Sequence, residues 1–405
     1  MKKNYLKLVS LLLVLVMSVA IITGCSKNNA PVDGNASGNV ENNDSNNDQN
    51  KGEDAEENYD GKLVFDHSLE LKYAKNFSVD YYKGGYKLIK VSDGNEILTV
   101  PEGMSVPAEI ESNVVVLKMP VNNMLISSTP TMSLINSIGM LDRISLTTTE
   151  RDDWYIDEVI EKMDDSSITF AGSYKAPDYE ILTSYAPPFA VFSGMLNSVP
   201  EVGEKLKELK IPYILDMAAE EVEPLARVEW VKLYGALFDC EEKANEVFDT
   251  QVAYVDNLDT EKVTDKTVAM FYITSKGNLH VRQGGDYMVK MLELAGGKYI
   301  FSDLNPDKTG TAKLEFEEFY KTAKDADYII YIWSLGGKPS SLDDFLAKSE
   351  LFKEFKAVKE GNVWCTTPDY FQISDTLGHM IKDMNGMLTL EDPSVDSFPH
   401  LIRLK

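Results

Sequence analysis

Between residues 129 and 388, short apolar runs alternate with segments of helical period, and this alternation restricts the fold more than any other property of the chain. Short strands separated by amphipathic helices cannot pair as hairpins. They pair through crossovers, which give a mainly parallel sheet covered by helices on both faces. The pattern predicts strands at 144–147, 168–171, 189–193 and 212–215, with helices at 154–163, 178–185 and 200–209. Thr129 and Pro130 read as the N-cap and first position of an earlier helix, striped by Leu134, Ile135 and Ile138 and ended by Gly139.

A long helical region follows at 224–258. Asp239 with Glu242 three residues on forms a capping box that restarts it, so two helices are expected, the second carrying Ala244, Val247, Phe248 and Val255 on one face. Alternation then resumes: strand 267–273, helix 287–295 closed by Gly296 and Gly297, helix 316–324, strand 328–333, helix 342–355, strand 362–366 and helix 376–388. Ahead of all this lies a β-rich stretch. Strands at 86–91 and 96–100 flank Asp93-Gly94, a tight-turn pair, and further strands are expected at 114–119 and 124–127.

The fold class expected is α/β: two lobes with mainly parallel sheets joined by a long helix, with an N-terminal β-hairpin segment. The boundaries are an N-terminal lobe with the added hairpin at 61–240, an interlobe helix at 241–260 and a C-terminal lobe at 261–405.

The first residues read differently. Lys2, Lys3 and Lys7 precede an apolar run at 8–22, too short for a secure membrane span, which ends Ile22-Thr23-Gly24-Cys25. This is the pattern of a lipoprotein signal peptide at 1–24, with Cys25 the lipidated N-terminus of the mature chain and the protein held outside the cytoplasm on the cell membrane. Residues 26–60 are Asn, Asp, Glu, Gly and Ser with almost no aliphatic side chains, which describes a tether reaching about 30 Å.

Composition excludes several functions. A formal net charge of −25 repels nucleic acid. Cys240 and Cys365 both sit in apolar contexts and read as buried free thiols rather than a disulfide or a metal pair. The four histidines, His67, His280, His379 and His400, are scattered, so no histidine metal site and no cofactor is expected. No metalloprotease, nucleophile-elbow, phosphate-loop or dinucleotide motif occurs, and the chain reads as a non-enzyme. The alternative from another class is a lipid-anchored surface hydrolase using Ser127 or Ser128, which needs a base within hydrogen-bond reach.

Several strings are more specific: APDYEIL at 176–182 followed by PPFAVF at 187–192, FEEFY at 316–320 followed by DADYIIY at 325–331, EPLARVEW at 223–230, and MLELAGG at 291–297. Together with the order of elements over about 114–388, they resemble the class III periplasmic-type binding proteins of iron-siderophore, haem and cobalamin importers. The resemblance implies a ligand cleft between two lobes and capture of a ferric chelate or corrinoid. It also implies delivery to an ABC permease dimer with its ATPase. Glu180 and Glu317 are the implied permease-docking carboxylates, with Glu318 a close competitor for the second. Haem is less favoured, although Tyr174 or Tyr370 could ligate iron.

Ligands of such sheets lie beyond the carboxyl ends of the strands. The expected ligand-binding residues are therefore Ser127, Ser128, Arg151, Trp154 and Tyr174 in the first lobe, and Arg282, Trp333 with Ser334, and Tyr370 with Phe371 in the second. Arg282 is the first choice, because an anionic chelate needs a fixed cation and a flat one stacks on aromatic rings. Arg227 is assigned to a structural pair beside the linker helix. The segment at 62–103 has no assigned role.

Overall fold

A computed structural model describes residues 62–405 except 261, 263, 264 and 334–336. The expectations for the signal peptide, the tether, lipidated Cys25 and Ser334 fall outside the described residues.

Strands β1 (Phe65–Ser68), β2 (Phe77–Tyr82), β3 (Tyr86–Val91), β4 (Glu96–Val100) and β5 (Val115–Lys118) form one sheet in that order. Gly94 takes φ +91° at the β3–β4 turn, where the Val91 N–H donates to the Asn95 carbonyl at 3.0 Å. The expected hairpin is therefore one part of a larger sheet, which β5 completes by pairing with β4 in parallel. Phe77, Val79, Ile89, Val91 and Ile97 enter the main core. Tyr86, Leu98 and Val100 form a smaller cluster closed by Met104 and Ile110.

The N-terminal lobe runs β6 (Met124–Ile126), α1 (Thr129–Ser137), β7 (Ile144–Thr147), α2 (Asp157–Asp164) and β8 (Thr169–Phe170). A small hairpin of β9 (Gly172–Ser173) and β10 (Ala176–Pro177) precedes α3 (Tyr179–Tyr185), β11 (Ala190–Ser193), α4 (Pro200–Glu208) and β12 (Tyr213–Asp216). The sheet order is β12-β11-β6-β7-β8, parallel throughout. Ile126 and Val191 face the main core while Leu125, Ala190 and Phe192 face a second cluster, which is why these strands read as continuous apolar runs. Helix α2 starts at Asp157 rather than Trp154, because residues 151–153 form a 3-10 turn and Trp154 is extended (φ −86°, ψ 145°).

Three helices then link the lobes: α5 (Pro224–Glu229), α6 (Val231–Phe238) and α7 (Glu241–Asp256). The restart near 240 is real, but the capping box is not its cause. Asp239 ends α6 in the left-handed region (φ 57°, ψ 41°), and its carboxylate accepts from Lys87 Nζ at 2.6 Å instead of capping α7. Helix α6 packs on α1, whereas α5 and α7 pack on elements of the second lobe.

The C-terminal lobe comprises β13 (Thr267–Ile273), β14 (Leu279–Arg282), α8 (Tyr287–Leu294), β15 (Lys298–Tyr299), β16 (Thr311–Leu314) and α9 (Phe316–Ala323). It continues with β17 (Tyr328–Tyr331), α10 (Leu342–Leu346), α11 (Lys356–Lys359), β18 (Val363–Thr366), α12 (Leu377–Leu388), β19 (Ser397–Phe398) and β20 (Leu401–Arg403). Its parallel centre is β13, β17 and β18. Antiparallel strands absent from the sequence reading flank it, β14 on one side and β20 on the other. The single helix expected at 342–355 is broken, because Ser349 is extended (φ −167°, ψ 131°) and its hydroxyl caps a separate 3-10 turn. Among the described residues no helix is long and apolar enough to cross a membrane.

Candidate functional site

A cavity of about 600 Å³ opens at the carboxyl edge of the C-terminal sheet. It is lined by Tyr272 at the end of β13, Thr274, Lys276 and Asn278 of the β13–β14 turn, Arg282 of β14, Thr311 of β16, and the Trp333, Tyr370 and Phe371 loops after β17 and β18. Arg282 thus stands on a strand rather than in the loop expected at 280–283. Pairing of β14 with β13 and β16 sets it there, opposite Thr311.

The Arg282 side chain is only 12% exposed, yet its guanidinium is poorly satisfied. Its Nε has no partner among the described residues, its Nη2 lies 3.5 Å from the Tyr370 hydroxyl, and its Nη1 lies 3.7 Å from Asp286 Oδ2. Asp286 is fixed from below: it accepts from the Met288 N–H at 3.0 Å and the Gly310 N–H at 2.8 Å. Between Arg282 and Asp286, Gly284 packs on the Ser302 carbonyl, which a Cβ would approach to 2.0 Å. Burial works against the charge on Arg282, but Asp286, foremost among its supporting neighbours, raises its pKa above the ordinary arginine value. A buried guanidinium with unfilled donors, facing a cavity, retains hydrogen-bonding capacity directed at that space.

Aromatic rings complete the walls. Trp333 stacks on Phe371 with centroids 5.9 Å apart and planes 5° from parallel. Tyr155 of the N-terminal lobe meets both edge-on, at 5.5 Å and 6.2 Å. Burial pushes the Tyr370 phenol up to about 12, so it remains a neutral hydroxyl at physiological pH. Arg227, set aside in the sequence reading as structural, donates to the Glu221 and Ala219 carbonyls at 2.8 Å and 2.6 Å and stacks on Tyr287 at 3.7 Å.

The lobes also touch directly beside the cavity. Gln372 is buried, with its side-chain oxygen accepting from the Tyr155 N–H at 2.9 Å and its Nε2 donating to the Asp153 carbonyl at 2.7 Å. Ser133 Oγ of α1 accepts from the Ser374 and Asp375 N–H groups at 3.1 Å and 3.3 Å and donates to the Asp375 carboxylate.

Of the expected ligand-binding residues, Arg282, Trp333, Tyr370 and Phe371 come together around this cavity, while Ser127, Ser128, Arg151, Trp154 and Tyr174 stand elsewhere. Trp154 is 3% exposed in the main core, with its indole N–H on the Thr149 carbonyl. Arg151 is held on the surface by Asp164, at 2.9 Å through both Nε and Nη2. Tyr174 packs against the second cluster under Lys175. Ser127 Oγ is bonded to Thr148 Oγ1 at 2.7 Å, and Ser128 Oγ caps α1 through the Thr131 N–H, so Thr129 is not the cap. Neither hydroxyl touches a histidine. Tyr272, Thr274, Ser275, Lys276, Asn278, Thr311 and Tyr155 were missed; Tyr272 closes an apolar run and the others carry no distinctive spacing.

Glu180 and Glu317 are both exposed, each in the first turn of its helix. Helix α3 starts where the Asp178 N–H bonds Ala171, just past β8, and α9 starts just past β16, so both lie at the carboxyl edges of their sheets.

Comparison with known proteins gives a consistent picture. Residues 145–370 match the family model described as periplasmic binding protein. An uncharacterized lipoprotein of Methanocaldococcus jannaschii is 27% identical over 330 residues, covering 75% of this chain and 77% of its own. Among solved structures, the petrobactin-binding protein of Bacillus subtilis superposes with a TM-score of 0.56 at 16% identity, over 76% of this chain and 99% of that one. A periplasmic heme binding protein from Pseudomonas aeruginosa gives 0.55 at 11% identity, over 70% and 98%.

Proposed function

Because this chain belongs to the periplasmic binding protein family, a family of substrate-binding proteins rather than enzymes, we propose that it is the extracytoplasmic receptor of an ABC importer. The ligand proposed is an anionic ferric chelate of the siderophore type. The observation that carries this is the buried Arg282 guanidinium, with its Nε unpartnered among the described residues, facing a cavity walled by Tyr272, Trp333, Tyr370 and Phe371. A volume of about 600 Å³ suits a ligand of that bulk. One fixed cation supplies orientation, and the flat rings supply contact area with little loss of side-chain entropy.

The petrobactin-binding neighbour supports the same ligand class, and the heme-binding neighbour supports the alternative. Haem is disfavoured by Tyr370, because a phenol held at about 12 must lose its proton against that burial before it ligates iron. Corrinoid binding on the same scaffold is the other alternative, and no residue of the cavity selects for it.

Cys25 and the lipoprotein relative support attachment to the outer face of the cell membrane through a lipid. Glu180 and Glu317 are the proposed contacts to the two permease subunits, each offering a carboxylate to an arginine fork. Glu318, also exposed, is the competitor for the second contact.

Tryptophan fluorescence tests the ligand. Of the four tryptophans, Trp154, Trp230 and Trp364 are buried and Trp333 lines the cavity, so quenching reports the site. Purified protein is titrated with ferric hydroxamates, ferric catecholates, haem, cobalamin and free metal ions. Saturable quenching by a ferric chelate supports the reading. Saturation by haem or cobalamin alone replaces it with the corresponding alternative, and no saturation with any of them removes it.

A further inference from the structure

The family match begins at residue 145 and leaves the five-stranded sheet outside it, so the role of that sheet has to be read from its contacts. Its contacts concentrate on the two breaks of the interlobe linker. At the first, between α5 and α6, Glu229 is fully buried and accepts the N–H groups of Lys72, Tyr73 and Ala74 at 2.7, 2.7 and 2.8 Å. Glu221, 5% exposed, accepts those of Lys75 and Asn76 at 2.9 and 2.8 Å and the Trp230 indole N–H at 3.3 Å. Lys232 Nζ balances the Glu229 charge at 2.9 Å, and Phe77 packs on Trp230 with centroids 5.0 Å apart.

At the second break, between α6 and α7, Lys87 of β3 is 6% exposed. Its ammonium donates to Asp239 at 2.6 Å, to Glu241 at 2.5 Å and to the Ala236 carbonyl at 2.8 Å, which places two of its bonds on the end of α6 and one on the start of α7. Tyr81 adds a hydroxyl to Glu241 at 3.4 Å.

We infer that the five-stranded sheet is a brace that locks both breaks of the linker and thereby fixes the relative orientation of the two lobes. The linker helices divide between the lobes, α6 lying against α1 while α5 and α7 lie against α12, so any rotation of one lobe on the other must bend the chain at Trp230 or at Asp239-Cys240. Both carboxylates stand on the α5 side of the first break while Lys87 holds the same sheet to the end of α6, so bending there pulls two buried carboxylates off five consecutive backbone donors. Bending at the second leaves a buried ammonium without one of its acceptors. Stripping partners from a buried charge is among the costliest changes a protein can make. The inference does not depend on which ligand the cavity takes.

Hydrogen–deuterium exchange on the full chain tests it, using a readout remote from the brace. The Tyr155, Ser374 and Asp375 amides bond across the lobes to Gln372 and Ser133. In the Glu221→Gln, Glu229→Gln double variant, amides 72–76 lose protection. The brace predicts that the three interlobe amides then exchange at least about tenfold faster. If they keep their wild-type rates while 72–76 open, the sheet is only a local addition and the inference fails. A rise shared equally by the central amides of β17 is general destabilisation and also overturns it. Should the double variant not fold, Lys87→Met cuts the second break alone, and the same three amides decide by the same criteria.

Discussion

Gln372 of the C-terminal lobe and Tyr155 of the N-terminal lobe are joined through the amide oxygen of one and the backbone N–H of the other, at 2.9 Å, one residue beyond the cavity-lining Phe371. Gln372 is 1% exposed and also reaches the Asp153 carbonyl. Gln372→Ala orphans a backbone donor and acceptor between the lobes. We expect a loss of about 1–3 kcal/mol in urea unfolding, where a change below the error of the titration would remove the contact from the stability of the fold.

Arg282→Met should separate affinity from stability. Binding of an anionic chelate falls by about 100-fold or more, since the fixed cation is gone. The unliganded protein keeps or raises its urea midpoint, because the substitution removes a buried charge whose only ionic partner among the described residues lies 3.7 Å away, while Asp286 retains its two backbone donors. Undiminished quenching of Trp333 in this variant would move the anion site elsewhere.

Glu180→Ala combined with Glu317→Ala should leave ligand titrations unchanged and abolish uptake into cells. Both carboxylates are exposed and neither appears in an ion pair among the described residues, so the substitutions have little to disturb within the fold. Normal transport by the double variant would discard both as docking residues. Persistence of transport until Glu318 is also removed would reassign the second.

Acid should expose the contribution of Asp327. Burial opposes its ionisation, but Lys356 Nζ at 2.6 Å and the Thr267 N–H and hydroxyl, both at 2.8 Å, prevail and hold it at about 2. An unfolded aspartate titrates near about 3.9, so the folded value is the lower one. Stability from this group is therefore complete above about pH 4 and is lost as pH falls through about 2. Asp327→Asn should unfold more easily than the wild type at neutral pH, with the gap in urea midpoint closing across that window. A gap that persists undiminished in acid would mean that the amide fails for reasons of packing, not charge.

The parallel strands were legible because burial on both faces leaves a continuous apolar run, and β7 and β13 fall where the sequence puts them. The flanking strand β14 was not. Leu279 and Val281 point inward while His280 and Arg282 point to the other face, an alternation too short to distinguish from a loop without its partners β13 and β16. The site shows the same division. Arg282, Trp333 and Tyr370 were found because charge and aromaticity at strand ends are informative. Trp154 satisfies that description equally well, and only the burial of its ring separates core from cavity. The cap at Ser128 rather than Thr129 is a displacement of one residue, yet it decides whether that hydroxyl is available to a ligand.

The brace also constrains how the molecule is made. The backbone donors at 72–76 are answered by carboxylates 145 to 157 positions farther along the chain. The N-terminal sheet is synthesised before Glu221 and Glu229 exist to receive it. The first strands must therefore wait, unfinished, for the middle of the sequence, and contacts of such long range form slowly.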